Sequence, residues 1–243
     1  MSGKIAIQTT RLVKRFGENE VIKDCSMCIE EGTIYGFLGA NGAGKTTVFK
    51  LLIGLLTPDS GSVEILEHNM FQNRDKMLSQ IGSLIETPTF YEHLSARKNL
   101  EIHLAYMGNY GYEIDKVLQM VGLSDVGEKA AVKFSLGMRQ RLGIARALIH
   151  QPKILILDEP INGLDPMGIK AMRELFLSLA KEYGITILLS SHILSEIEHV
   201  ADKIGVIVDG KIVCETDLAQ VKAEYKNSLE DYFFTIMSGG KQL

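Results

Sequence analysis

Lys45, Thr46, Asp158, Glu159 and His192 are the side chains of this sequence whose types, taken together, could act on a phosphoanhydride. Lys45 and Thr46 close the pattern Gly39-x-x-x-x-Gly44-Lys45-Thr46 within TIYGFLGANGAGKTT. Glycines at 39, 42 and 44 allow positive φ and turn backbone N–H groups towards phosphate oxygens. A helix starting at this point adds its positive end to the same anion. Lys45 then reaches the β- and γ-phosphates of a nucleotide, and the Thr46 hydroxyl completes a Mg²⁺ shell. A glycine-rich turn that merely precedes a helix needs none of this pattern, so nucleotide binding is the expectation.

Asp158 and Glu159 end an apolar run, residues 153–157. In an open parallel sheet, ligands bind at the carboxyl ends of strands. Two carboxylates there can divide the work: Asp158 holds Mg²⁺, directly or through its waters, and Glu159 orients and deprotonates a water. A helix N-cap cluster would also collect acids, but it leaves the phosphate cradle unexplained. His192 follows a second apolar run, ITILLSS, and could donate to the γ-phosphate and sense its presence. The other histidines are read as structural. The run FSLGMRQR opens a helix, where Ser135 and Gly137 offer a hydroxyl and free N–H groups at the positive end. One chain has little use for two such helix starts on one nucleotide. Two chains head to tail could give each ATP a cradle from one and a capping helix from the other.

These side chains need a scaffold, and the hydrophobic pattern supplies one. Residues 34–38 read as a buried strand, followed by a helix from Gly44 to about Leu56. Residues 4–13 and 21–31 read as strands joined by the turn Phe16-Gly17-Glu18-Asn19. Phe16 either stacks on a base or plugs the hairpin, and position does not separate the two. TPDSGS is a turn with a short strand after it, and residues 81–86 form another strand, ended by Pro88. From Tyr91 to His150 the spacing is helical, with Gly122 as a stop. The α/β pattern returns after Pro152: Asp165-Pro166 caps a helix, residues 193–200 form another, and Asp209-Gly210 turns a hairpin. From about Asp217 the chain is helical, and Leu229, Phe233 and Phe234 suggest packing.

The chain has 243 residues, 46% hydrophobic and 23% charged, as an ordinary soluble globule does. A net charge of −4 gives no electrostatic reason to expect nucleic acid. No apolar stretch approaches the ~20 residues that span a bilayer, and MSGKIAIQ does not read as a secretory signal. A cytoplasmic protein is expected. Cys25 and Cys28 form a C-x-x-C without the second pair a zinc site needs; with Cys214 they read as buried thiols.

Together, GANGAGKTT, SLGMRQRLGIARAL, ILILDEPINGLDP and LLSSHILSEIE resemble the nucleotide-binding subunit of ABC transporters over nearly the whole chain. That resemblance implies one α/β nucleotide-binding domain. A RecA-like P-loop core with an antiparallel β subdomain would take 1–87 and 151–220, a helical insert 88–150 and a tail 221–243. It implies that Phe16 stacks on adenine and that Gly39, Asn41, Gly42, Ala43, Gly44, Lys45, Thr46 and Thr47 wrap the phosphates. It implies catalytic roles for Lys45, Glu159 and His192, Mg²⁺ on Thr46 and Asp158, and Ser135 and Gly137 on the ATP of a second protomer. Asp165 would sit at the dimer seam. Two departures stand out. The usual LSGGQ has Leu136 for a glycine and Met138 for the glutamine. Glu86 stands where most members have a glutamine that touches Mg²⁺ and moves with the membrane partner; a carboxylate there attracts Mg²⁺ but repels the γ-phosphate.

Glu86, SLGMRQRL and the tail SLEDYFF are similar to the subgroup that protects Gram-positive bacteria against bacitracin and lantibiotics. This implies transmembrane permease subunits as partners. It also implies a homodimer, or a heterodimer with a related ATPase, on the inner face of the membrane, touching it only through the permease. The segment TPTFYEHLSARKNL would be the coupling surface, with ordinary packing as the alternative for Phe90 and Tyr91. A soluble relative working in translation or DNA repair would carry two such domains or a long coiled coil, neither of which is seen. A P-loop kinase would leave residues 134–141 and His192 without a task.

Overall fold

Period-two alternation on apolar strands decides the architecture. On the strand Ile34–Leu38 (β3), Ile34 and Leu38 join one core cluster, while Tyr35 and Phe37 join the other. Ile154–Leu157 (β7) divides the same way, Leu155 and Leu157 against Ile154 and Ile156. Strands buried on both faces read as continuous apolar runs because both faces need cover. The computed structural model describes residues 3–108, 113–224, 233, 234 and 236.

The remaining strands are β1 (Ile5–Phe16), β2 (Asn19–Glu30), β4 (Ser60–Ile65), β5 (His68–Asn69), β6 (Ile81–Leu84), β8 (Thr186–Ser191), β9 (Lys203–Val208) and β10 (Lys211–Asp217). They make a six-stranded sheet in the order β10-β9-β3-β8-β7-β6 and a four-stranded sheet β2-β1-β4-β5. The larger sheet is parallel except for β10, and the smaller is antiparallel. This is the RecA-like α/β fold with an antiparallel β layer. Helix α1 (Lys45–Leu52) packs against the smaller sheet's side, where Phe49 stacks on Phe37 of β3 with ring centroids 5.9 Å apart. On the other face lie α3 (Ala96–Tyr106), α4 (Ile114–Met120), α5 (Leu136–Leu148) and α6 (Pro166–Lys181). Gly82 on β6 allows α5 to come close, since a Cβ there would stand 2.1 Å from the Ala147 carbonyl oxygen.

Several boundaries differ from the expectation. Helix α1 stops at Leu52, and Gly54 at φ 67 turns the chain away before Leu56. Strand β6 ends at Leu84, leaving Glu86 beyond it at φ 64. The expected helix over 193–200 is the short α7 (Leu194–Ile197). Strand β5 and helix α2 (Arg74–Leu78) are additions, too short to leave a period. Helix α8 (Leu218–Glu224) follows β10, Phe233 is buried in the first core cluster and Phe234 is exposed; Leu229 lies outside the described residues. Only Cys25 is fully buried, whereas Cys28 and Cys214 are half-buried, so the expectation of three buried thiols fails for two of them.

Candidate functional site

Strand register brings the site together. Leu38 of β3 lies beside Ser191 of β8, and Leu157 of β7 beside Leu189, so the next residues, Gly39 and Asp158, leave the sheet at the same edge. Gly39 donates its N–H to the Ser191 carbonyl at 3.3 Å. Positive φ occurs at Gly42 (82°) and Gly44 (111°) but not at Gly39. Gly39 is restricted by space instead, because a Cβ would stand 2.6 Å from the Ile207 carbonyl oxygen. Ala40, Asn41 and Gly42 form an exposed crest, and Ala43 and Gly44 turn inward. The hairpin turn at Asp209-Gly210 braces the loop: Gly210 donates to the Ala43 carbonyl at 3.0 Å and accepts from Lys23 N–H at 2.8 Å. The first-turn N–H groups of Lys45, Thr46 and Thr47 have no intrahelical acceptor, as at any helix start.

Five expected residues meet in one network. Lys45, 6% exposed, donates to the carbonyls of Gly39 (2.7 Å) and Ala40 (3.2 Å), and its Nζ lies 3.2 Å from Glu159 Oε1. The contact with Glu159 is Coulombic rather than a hydrogen bond, and buried Oε1 has no hydrogen-bond partner among the described residues. Glu159 Oε2 faces His192 Nδ1 at 2.8 Å. An ionised carboxylate only accepts, so the imidazole proton belongs on Nδ1, leaving Nε2 for another partner. Thr46 Oγ1 donates to Asp158 Oδ2 at 2.6 Å. Glu159 itself takes φ 48, a left-handed conformation that costs a non-glycine residue roughly 1–2 kcal/mol and turns its side chain into the network.

Other expected residues lie around this centre. Phe16, 48% exposed, ends β1, with Lys14 Nζ 5.6 Å from its ring centroid, so it is not a plug beneath the hairpin. Lys14 pairs with Ile22, whose side chain presses on Gly44, and this ties the Phe16 strand to the phosphate loop. Ser135 caps α5, its Oγ accepting from Met138 N–H at 3.3 Å. Among the described residues no hydrogen bond or ion pair joins Ser135 or Gly137 to the cradle. Leu136 packs instead against Gly163, and Gly137 faces Leu164. Asp165 caps α6 through Gly168 N–H at 3.0 Å.

Glu86 is not part of the network. Its carboxylate, 65% exposed, pairs with Lys50 Nζ at 2.6 Å. Lys50 lies one helical turn beyond Thr46, on the same face of α1. Ser190, within LLSSHILSEIE, carries no signal of its own in the sequence, yet it bonds to both Asp158 and Glu159. Arg139, within FSLGMRQR, forms a two-bond fork with Glu92 at 2.6 and 2.8 Å, which holds the Glu92 carboxyl below its usual range; a partner 47 residues away leaves no local signal. Two guanidinium groups lie near the Phe90 ring, Arg139 at 5.7 Å and Arg146 at 5.2 Å from its centroid. It borders a cavity of about 340 Å³ that also takes in Tyr91, Asn99, His103 and Tyr106.

The ABC transporter family profile matches residues 22–162. The bacitracin transport ATP-binding protein BcrA of Bacillus licheniformis is 51% identical over 92% of this chain and 74% of its own. The lantibiotic transport ATP-binding protein SrtF of Streptococcus pyogenes is 46% identical over 87% of this chain and 90% of its own. A solved ATP-binding subunit of an ABC transporter superposes with a TM-score of 0.82 at 27% identity, over 95% of this chain and 99% of that one. ATP-binding subunits of this family work with membrane permeases, and no helix among the described residues is long and apolar enough to cross a membrane. Extensive identity along the chain, a shared fold and a phosphate loop facing paired carboxylates agree, and the chain belongs to the ABC transporter family as an ATP-hydrolysing, ATP-binding subunit.

Proposed function

We propose that this chain powers separate membrane permease subunits that export a peptide antibiotic or a similar amphipathic compound. The observation that carries this reading is the pair of relatives named for bacitracin and lantibiotic transport. The ATPase sits on the inner face of the membrane and contacts it through the permease. The cavity beside Phe90 and Tyr91, on the segment after β6, is the coupling surface.

The network supports a role for each residue. Phe16 stacks on adenine, and Lys45 neutralises the β- and γ-phosphate oxygens. Thr46 and Asp158 offer hard oxygen donors 2.6 Å apart, the donor type Mg²⁺ takes, so the residues present fit this ion. Mg²⁺ bound there neutralises charge on the transferring phosphoryl group. Buried Glu159 Oε1, without a hydrogen-bond partner among the described residues, is the atom that accepts the proton of the attacking water. His192 orients that carboxylate through Nδ1 and, as the imidazolium in which both ring nitrogens carry a proton, donates from Nε2 to the γ-phosphate. Ser135 and Gly137 act on the ATP of a second protomer, in a head-to-tail pair of identical or related chains, with Asp165 at the seam.

Replacing Glu159 by Gln removes the base and leaves the shape. With saturating Mg-ATP this variant elutes and scatters light as a dimer; a monomer under those conditions refutes the shared site. For the cargo, co-expression with the cognate permease raises resistance to bacitracin or a lantibiotic, and Glu159→Gln abolishes the gain. Unchanged resistance to both refutes the export reading.

A further inference from the structure

Ser190 and Ser191 are adjacent, fully buried, and differently employed. Ser191 serves the chain that follows: its Oγ accepts from Ile193 N–H at 2.9 Å and bonds to the Glu196 carboxylate. Ser190 serves the site. Its Oγ lies 2.6 Å from Asp158 Oδ1 and 2.8 Å from Glu159 N.

The proton arrangement at Ser190 follows from donor counting. A backbone N–H only donates, so Ser190 Oγ accepts from Glu159 and must give its own proton to Asp158. One hydroxyl thus fixes two things at once. It occupies Asp158 Oδ1, leaving Oδ2 turned towards Thr46. It also satisfies the Glu159 N–H, the first beyond the last β7 ladder partner, since Asp158 N–H already reaches the Leu84 carbonyl at 2.8 Å. Glu159 is in the left-handed region, φ 48, and a strained residue persists only where its surroundings hold it. No other hydrogen bond to that N–H is seen among the described residues.

We infer that Ser190 is a positioning residue of the ATPase site, setting the direction of the Asp158 carboxylate and the strained backbone of Glu159 through one hydroxyl. This rests on the reading of Asp158 as a metal-holding residue. Hydrogen-bond partners behind a metal-holding carboxylate typically change metal affinity or turnover by about 10–100-fold when removed. Ser190 makes no contact with substrate in this reading. Its effect passes through Asp158 and Glu159.

The test compares Ser190→Thr with Ser190→Val, two side chains of nearly equal volume that differ by the hydroxyl. Any packing strain from the added methyl groups is common to both. Mn²⁺ binding to the protein with a saturating non-hydrolysable ATP analogue is read by EPR, and kcat and KM for ATP are measured separately. Nucleotide binding in EDTA serves as the metal-free control. The expectation is that Ser190→Thr keeps Mn²⁺ affinity and kcat within a few-fold of the parent, while Ser190→Val loses about tenfold or more in each, by the same reasoning. The two variants bind nucleotide alike in EDTA. Equal Mn²⁺ affinity and equal kcat in the two variants overturn the inference, whether both are high or both low. Asp158→Asn separates the two layers of argument. If it removes Mn²⁺ binding while Thr and Val at 190 behave alike, only the Ser190 role falls; if it leaves Mn²⁺ binding intact, the metal reading of Asp158 falls and the Ser190 inference with it.

Discussion

Glu86→Gln is an isosteric change at the position where the resemblance to ABC transporter subunits implies an amide. Both residues meet the same φ of 64, so backbone strain is unchanged by the substitution. Among the described residues the carboxylate's hydrogen-bond and ion-pair partner is Lys50, at 2.6 Å, with side-chain exposures of 65% for Glu86 and 32% for Lys50. A pair so open to solvent contributes about 0.2–1 kcal/mol, and for a chain of this size ~1 kcal/mol moves Tm by about 2–4 °C. Folding stability therefore changes little. The effect on Mg²⁺ is larger. A unit charge at contact distance from another is worth ~4 kcal/mol in a partly screened site. A quarter of that, ~1 kcal/mol, is about a fivefold change in an equilibrium constant. Losing the carboxylate leaves the Lys50 charge uncompensated, which opposes a cation within its reach, so the Mg²⁺ concentration for half-maximal ATPase activity rises roughly fivefold in Glu86→Gln, on that arithmetic. Lys50→Met, which frees the carboxylate, moves it the other way. The assay is a Mg²⁺ titration at fixed ATP, with thermal unfolding alongside. Superimposable titrations for parent and Glu86→Gln would remove Glu86 from the mechanism, and shifts of the same sign in both variants would refute the counter-ion argument.

Two further outcomes follow from the geometry. Phe16→Ala weakens ATP binding by roughly 1–3 kcal/mol, the usual worth of a base stacked on an aromatic ring, and leaves inorganic triphosphate binding unchanged; equal losses for both ligands would show that the ring does not touch the base. Burial is the first cause that pushes His150 below its ordinary value, outweighing the bond from its Nε2 to the Ile81 carbonyl at 3.1 Å. The unfolded chain then takes up the proton first as pH falls through about 6.5, so this residue stabilises the fold above that pH and loses its contribution below it. His150→Gln can keep the bond to Ile81, and the fall in Tm between about pH 7 and pH 5.5 becomes shallower; equal slopes would refute the assignment.

The phosphate loop and the two carboxylates were legible because their chemistry is local. Gly42 and Gly44 declare positive φ by type, and Asp158-Glu159 closes an apolar strand. Gly39 was readable as a required glycine but for the wrong reason, since Ile207 comes near it only through the pairing of β3 with β9. The partners of Glu86 and Asp158 were hidden for the same cause. Lys50 is 36 residues from Glu86 in sequence, and Ser190 is 32 from Asp158. Such contacts depend on which strands become neighbours, and a single sequence does not state strand order. The ends of α1 and β6 shifted because apolar residues continue past the point where the backbone turns, at Gly54 and ahead of Glu86.

The Arg139–Glu92 fork has a mechanical reading. Two parallel charged hydrogen bonds resist both sliding and twisting, where a single bond would act as a pivot. Arg139 lies on the first turns of α5, near Ser135, and Glu92 on the segment that borders the Phe90 cavity. Displacement of that segment is thus expected to carry the start of α5 with it, as along the rigid arm of a lever.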